Sequence, residues 1–528
     1  MAIIVGPSGI PPSTWGLALF VLAVSYYALS LASWHRRSRG RPLPPGPKSL
    51  PFIGNLSHMR KAAPWRAHQE LCQKYGDFVY VPVMGQSIVI LGSPRVLSDL
   101  LEKRSAVTSD KPHSALIPLA GQDGNFSLMG YGPWWRRHRR AFWQHFFPAA
   151  SEGYRPIQRK STQVLLRKLL DDPTQLVDHI RYTFTSAIVK ILYGLDVAEK
   201  NDKYIAMMAR ALEGGEAFVP GKYYVEFLPF LRHIPAWVPG AGFQKDFARW
   251  RHAAEWVRST MVEKTKEGMA DGRTSQSVVA QLIASLDEVD PHSSAEELEV
   301  VKNVALTSYE GGADTTYSTL QTFFVAMVLH PEVQKKAQAE LDAVVGPNRL
   351  PDHSDQPDLP YMNALIKEAL RWAPALPFSI PHRTIEDMEY DGYFIPAGTI
   401  LIPNTWACLH DPEVYPDPER FMPERFLKDD KLDLDVCDPG RFAFGYGRRV
   451  CPGRHFADAS LFINLAMILH VFNITAPLDT DGKEIPMRLK MTDSIVSFPE
   501  DCRCTIKARS ARARQLILAD APRADTQG

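Results

Sequence analysis

Net charge is what this chain lacks most: 60 Lys+Arg against 59 Asp+Glu leave +1 with the histidines neutral. Bulk electrostatics therefore do not draw it to nucleic acid. Cysteine is scarce as well. Six residues, Cys72, Cys408, Cys437, Cys451, Cys502 and Cys504, spread over 528 positions cannot form the disulfide framework of a small secreted protein. They read as mostly free thiols in a reducing compartment. The sequence has no internal repeat and no linker dividing its body. With 45% hydrophobic and 23% charged residues, intrinsic disorder and fibrous classes are excluded for most of the length.

The longest gap in charge lies at the amino terminus, where no Lys, Arg, Asp or Glu occurs from Met1 to Trp34. The run from Thr14 to Trp34 is mainly Leu, Ala, Val, Phe and Tyr, and a bilayer core needs roughly 20 such residues. Trp15 and Trp34 mark its ends as interfacial belts do, and Arg36, Arg37, Arg39 and Arg41 follow at once, which keeps that flank cytoplasmic. A cleaved signal peptide is the competing reading. It wants a basic start, a shorter apolar run and small residues at a cut site. Residues 1–34 are therefore expected to be a single-pass membrane anchor, and 35–49 a basic, Pro-rich hinge. Arg41-Pro-Leu-Pro-Pro-Gly-Pro47 would act as a stiff spacer holding the body off the membrane.

Prolines, 42 in all, also punctuate Pro351 to Pro423, a stretch of irregular connections. Two hairpins are expected, Phe78–Val81 with Ile88–Leu91, and Met388–Tyr390 with Tyr393–Ile395 about Asp391-Gly392. Between them the pattern is helical. A long helix should run from a capping box at Ser294-Ala-Glu-Glu297 to His330, where Pro331 stops it; Tyr361–Trp372 and Arg454–Val471 are further helices. The fold class is mainly α with small β-sheets, one catalytic domain over 50–508 and a disordered tail over 509–528.

The chemistry concentrates in Phe444-Gly-Tyr-Gly-Arg-Arg-Val-Cys-Pro-Gly453. Its glycines let backbone approach a large flat group, and Cys451 sits where loop becomes helix, where amide hydrogens and the helix dipole favour a thiolate. A lone thiolate with no second Cys or His at finger spacing does not make a zinc site, but it suits the axial position of haem iron.

Phe444, Gly447, Arg449, Cys451 and Gly453 match the cysteine-loop pattern of the cytochrome P-450 superfamily, which the chain resembles over nearly its whole length. The resemblance implies haem b with Cys451 as iron ligand, Phe444 beside the sulfur and Arg449 on a propionate. It gives Glu368-Ala-Leu-Arg371 a partner in Arg425 of Pro423-Glu-Arg-Phe426, a buried triad that locks the cysteine loop. A second copy, Pro418-Glu-Arg-Phe421, leaves the partner open, with the later copy preferred for its spacing to Cys451. Trp135 and Arg139 match the WxxxR helix that reaches a propionate, and His382 stands where another propionate partner is common, although Arg383 is adjacent.

Gly311-Gly-Ala-Asp-Thr-Thr316 matches the oxygen-activation motif, so Asp314 and Thr315 would relay protons and hold water. Two glycines inside a helix cost roughly 1 kcal/mol each relative to Ala, and an oxygen groove gives them a reason. Arg136, Arg137 and Arg140 would attract an acidic electron donor, with NADPH-cytochrome reductase and cytochrome b5 the implied partners.

Tyr224–Gly240 is similar to enzymes of fungal secondary metabolism. The expectation is an endoplasmic-reticulum monooxygenase, in contact with membrane lipid, that uses O2 on a lipophilic molecule. An isomerase or dehydratase working without NADPH and a haem sensor are the other classes in view. Pocket residues are expected around Phe126, Ala305–Tyr309, Phe378–Ile380 and Ser494–Val496.

Overall fold

The structure is a computed structural model that describes residues 12–59, 62–198, 202–219, 221–286 and 291–519; of 12–19, 23, 216 and 291–294 it describes the backbone only. The chain is mainly helical with small sheets, as the periodicities imply. Helix α1 (Pro12–Ser38) leads into the Pro-rich segment. Strands β1 (Phe78–Tyr80) and β2 (Ile88–Leu91) form the first hairpin, with Val79 opposite Ile90. Helices α2 (Pro133–Phe146), α3 (Arg155–Asp171) and α4 (Leu176–Tyr193) follow.

The central helix α5 (Pro291–Leu329) is 39 residues long, about 58 Å at 1.5 Å per residue. It begins three residues before the expected capping box, and Ser294 lies outside the described side chains. It stops where expected, His330 adopting φ −130° and ψ 66° because a residue before proline avoids the helical region. Val304, Leu306, Leu320, Phe323 and Phe324 are all buried, the all-round burial of a helix through a core rather than on its surface. Helix α6 (Pro360–Trp372) precedes β3 (His382–Arg383), the hairpin β4 (Met388–Tyr390) and β5 (Tyr393–Ile395), and β6 (Ile400–Pro403). The larger sheet has the order β1-β2-β6-β3, with β2 and β6 parallel. A short pair, β7 (Leu427–Lys428) and β8 (Lys431–Leu432), helix α7 (Arg454–Val471), the pair β9 (Phe472–Thr475) and β10 (Thr505–Ala508), and helix α8 (Ala511–Ala519) complete the order. Apolar residues of α3, α4, α5 and α7 make one core, including Leu165, Phe184, Phe324 and Leu465. A second joins α2, α4 and α5 through Phe142, Ile188 and Val304.

One expectation, the membrane span, finds no support and two others change. Among the described residues no helix is long and apolar enough to cross a membrane; of the expected anchor, 1–11 lie outside the described residues. The Pro-rich segment is a strap rather than a free spacer: the Pro42 carbonyl accepts the Phe394 amide and the Pro45 carbonyl the Tyr80 amide, both at 2.8 Å. Arg37 pairs with Asp387, Arg41 with Glu389, and Trp34 meets Phe394 edge-on at 5.3 Å, so Trp34 rests on the body. The expected disordered tail is ordered as α8 through Ala519, because Ala513 and Ile517 are buried in the main core and Arg509 pairs with Asp342 at 2.6 Å. Residues 520–528 lie outside the described residues.

Ile517→Ala empties a buried site on this helix and should cost about 2 kcal/mol or more. Thermal unfolding checks it; an unchanged midpoint would return the segment to a loose tail.

Candidate active site

The cysteine loop is fixed by contacts that glycine alone permits. Gly447 has φ +52°, and a Cβ there would sit 2.1 Å from the Leu101 carbonyl oxygen. Its neighbour Tyr446 is buried with its hydroxyl 2.8 Å from Thr405 Oγ1. The Cys451 amide donates to the Phe444 carbonyl at 2.7 Å, which closes the loop two residues before Gly453 caps α7. The Gly453 N–H, Arg139 and Arg454 lower the Cys451 pKa, as the sequence suggests, but burial is the larger effect and raises it.

Behind the loop lies the triad. Glu368 and Arg371 are three residues apart on α6, fully buried and paired bidentately at 2.7 and 2.9 Å. The second partner is Arg425 at 3.2 Å, not Arg420, whose side chain is exposed. Arg371 also donates to the carbonyls of Leu409, Pro418 and Arg420, and Arg425 to those of Pro416 and Asp417.

One cavity of about 350 Å³ joins Cys451 and Phe444 to Trp135, Arg139, His382, Arg449, Asp314 and Thr315. The expected site residues outside the triad thus meet in one place. Arg449 stacks over Trp135 at 4.3 Å and donates to the carbonyls of Ser109 and Met129, each at 2.7 Å. His382 is buried, lines the cavity and has Nδ1 2.9 Å from the Thr108 carbonyl, whereas Arg383 is turned to Asp110 at 3.0 Å. Of the expected pocket stretches, Phe126, Thr307, Ser308, Ser379, Ile380, Ile495 and Val496 line the cavity, while Phe378 packs on Trp65. In the basic stretch of α2, Arg136 and Arg140 are exposed, but Arg137 is held by Glu296 and Glu297.

Sequence reasoning missed Lys111, Arg181, Glu310, Gln122 and Asn125. Lys111 lines the cavity and donates to the carbonyls of Ile380 and Pro381; burial drives its pKa well down, and Arg449 adds to this. No motif marks Asp110-Lys-Pro112. Burial likewise brings Arg139 and Arg449 down to about 10, and Arg139 has no hydrogen-bond partner among the described residues. Half-buried Arg139 and Arg449 and buried Lys111, with Asp110 as the nearby counter-charge, suit a flat group carrying carboxylates in the cavity that Cys451 also lines. Arg181 of α4 acts on Asp314, restraining a carboxyl that burial pushes up to about 6. Glu310, with Gln122 and Asn125, adds a polar wall to a pocket expected to be apolar. A signal for Glu310 exists: it stands four residues before Asp314, on the same helix face.

A family model described as Cytochrome P450 matches residues 44–498. A Cytochrome P450 monooxygenase COX1 of Coprinopsis cinerea is 42% identical over 95% of this chain and 98% of its own length. Cytochrome P450 monooxygenase ple1 of Rhodocybe pseudopiperita is 39% identical over 96% and 98%, and a Tryptamine 4-monooxygenase of Psilocybe cyanescens 38% over 94% and 97%.

The triad geometry separates the two tetrapeptide copies. Arg425→Ala should destabilise by about 3 kcal/mol and lower haem incorporation, whereas Arg420→Ala should stay within about 0.5 kcal/mol of the parent. Chemical denaturation of both variants decides; equal effects would remove Arg425 from the triad.

Proposed function

The chain belongs to the cytochrome P450 family and is a haem-dependent monooxygenase; we propose that it inserts one atom of O2 into a compact lipophilic molecule in fungal secondary metabolism, with Cys451 as the iron ligand. The observation that carries this reading is the meeting of Cys451 and Thr315 in one cavity. Haem, held in this family through a cysteine thiolate, supplies the iron at which dioxygen is reduced and cleaved. Trp135, Arg139, Arg449, His382 and Lys111 are the proposed partners of its propionates.

The chain's own contribution is a proton path and a dry pocket. A Cβ added at Gly311 would meet nothing within 4 Å, so the residue leaves a notch in α5. Thr315 Oγ1 donates to the Gly311 carbonyl at 2.8 Å one turn earlier, which holds the hydroxyl at the notch with its lone pairs free to accept a hydrogen bond from a proton-carrying water. Asp314, at about 6, sits close enough to neutrality to give and regain a proton at cellular pH. Burial raises the group and Arg181 opposes the rise. An isomerase or dehydratase would have no use for such a path, which favours the monooxygenase. One relative is named for tryptamine, and a compact aromatic amine of that kind or a small terpenoid is the proposed class of substrate.

Electrons come from a redox partner, as in other members of the family. We assign this role to NADPH-cytochrome reductase, with cytochrome b5 as a second donor, and Arg136 and Arg140 offer exposed positive charge to either. The proposed anchor is 1–34. Support comes from α1, where Phe20, Leu22, Tyr26, Tyr27 and Leu29 are each more than 60% exposed, an apolar surface around the helix that water disfavours. Phe52, Phe230 and Trp237 are also exposed on the body and suit a second contact with lipid. The proposed location is the endoplasmic-reticulum membrane with the 50–508 domain in the cytosol.

Two experiments test this reading. Thr315→Ala should keep the haem spectrum and substrate binding but uncouple turnover, so that NADPH is consumed, hydrogen peroxide accumulates and product formation falls by ~10²-fold or more. An unchanged ratio of product to NADPH would remove Thr315 from the path. Deletion of 1–34 should move much of the protein from the microsomal pellet to the supernatant with its haem intact, and protease protection of the body in sealed microsomes would reverse the orientation.

A further inference from the structure

One wall of the cavity is used neither by Cys451 nor by the proton path. Glu310 borders the cavity, and each of its carboxylate oxygens accepts one amide hydrogen bond: Oε1 from Gln122 Nε2 at 2.8 Å and Oε2 from Asn125 Nδ2 at 2.7 Å. The amides are themselves held. Asn125 Nδ2 also donates to Gln122 Oε1 at 3.0 Å, and Asn125 Oδ1 accepts from the Ser127 amide and hydroxyl at 2.9 and 2.6 Å. With its oxygen committed to Ser127, Asn125 can present only its nitrogen to the carboxyl group.

The wall is therefore a pre-formed cradle for a carboxylate, built from neutral donors. No Lys or Arg pairs with Glu310 among the described residues, and the charge that acts on it is the like charge of Asp314. Burial pushes the Glu310 carboxyl up to about 7, and the two amides pull it back. Isolated buried charge is costly until a partner of opposite sign arrives. The cavity is the open side from which a partner can come, and around this wall it is apolar, with Phe126, Ile188, Leu212 and Phe218.

We propose that Glu310 is the substrate anchor, and that it selects a lipophilic molecule carrying a protonated amine. This rests on the monooxygenase reading of the same cavity. Spacing along α5 limits the size of that molecule. Thr315 is five residues beyond Glu310, a rise of ~7.5 Å along the axis with a turn of about 140° round it, and the two side chains reach the same cavity from different sides of α5. An amine on a spacer of two or three bonds, attached to an aromatic or alicyclic body, would have its ammonium at Glu310 and its body beside the Gly311–Thr315 notch. Gln122 and Asn125 act as positioning residues, keeping the carboxylate turned to the cavity.

The test is calorimetric titration of the haem-loaded full chain with amines and neutral isosteres, for example tryptamine against 3-(2-hydroxyethyl)indole and 2-phenylethylamine against 2-phenylethanol. The parent should prefer the amine by roughly tenfold to a hundredfold, the worth of a hydrogen bond to a charged group. Glu310→Gln should bring that preference below about threefold while the alcohols bind as before, and Glu310→Asp, which keeps the charge, should retain most of it. Amine ligation of the iron would survive in Glu310→Gln, so a persisting preference overturns the proposal. Equal binding of amine and alcohol by the parent overturns it too, as does failure of every amine to bind. The reduced protein with carbon monoxide reports separately on the haem-thiolate centre: a normal band with no amine preference refutes the anchor alone, and an absent band refutes the parent reading and the anchor with it.

Discussion

Everything near the cysteine depends on one buried carboxylate. Glu368 is wholly removed from water and shared by Arg371 and Arg425. Such a cluster is expensive to bury and gives little net stability against an apolar replacement. Its value lies in the other hydrogens of the two guanidiniums, which are spent on the carbonyls of Leu409, Pro416, Asp417, Pro418 and Arg420. Glu368 also accepts the Met422 amide at 2.7 Å. A stretch with no regular structure to satisfy its backbone is thereby given one conformation. From there the order passes on: Tyr415 donates to the Cys437 carbonyl, and Lys367 of α6 pairs with Asp438, two residues before the turn that opens the cysteine loop.

The central helix solves a different problem, since it must be both rigid and notched. Its two glycines do so for separate reasons. At Gly312 a Cβ would come within 3.2 Å of Ile188 Cδ1, so this glycine lets α4 pack closely. At Gly311 a Cβ would meet nothing, so this one keeps space open beside Thr315. The sequence reading assigned both to an oxygen groove, and only the second fits that use. The helical propensity lost at the pair is offset by the burial of α5 on all sides.

Signals local in sequence were legible. The hairpins, the stop at Pro331, the bounds of Arg454–Val471 and the cysteine loop follow from turn chemistry and periodicity, and the structure has them within a residue or so. What stayed hidden depends on distant partners. Nothing in the tail announces that Ala513 and Ile517 would find the core formed by α3 and α7. The choice between Arg420 and Arg425 needed the position of α6, and the strap at Pro42 and Pro45 needed the free edges of β5 and β1. Lys111 was invisible for the same reason, because its surroundings come from residues some 270 positions away.

The hidden Lys111 and Glu310, together with the expected Arg139 and Arg449, give the cavity its polarity. Lys111 feels Arg449 and Asp110, Arg139 feels Cys451 and Arg454, and Glu310 feels Asp314. Opposite charge is near most of these groups, Asp110 beside Lys111 and Arg449, and Arg181 beside Asp314, whereas Glu310 has no Lys or Arg paired with it among the described residues. Lys111, Arg139, Glu310, Cys451 and Thr315 line the same cavity, where a low dielectric makes each charge count for more than it would in water. Burial raises the two carboxyl groups of the lining, Asp314 to about 6 and Glu310 to about 7, so each can stay buried as the neutral acid and becomes charged when it gives up its proton or meets a cation.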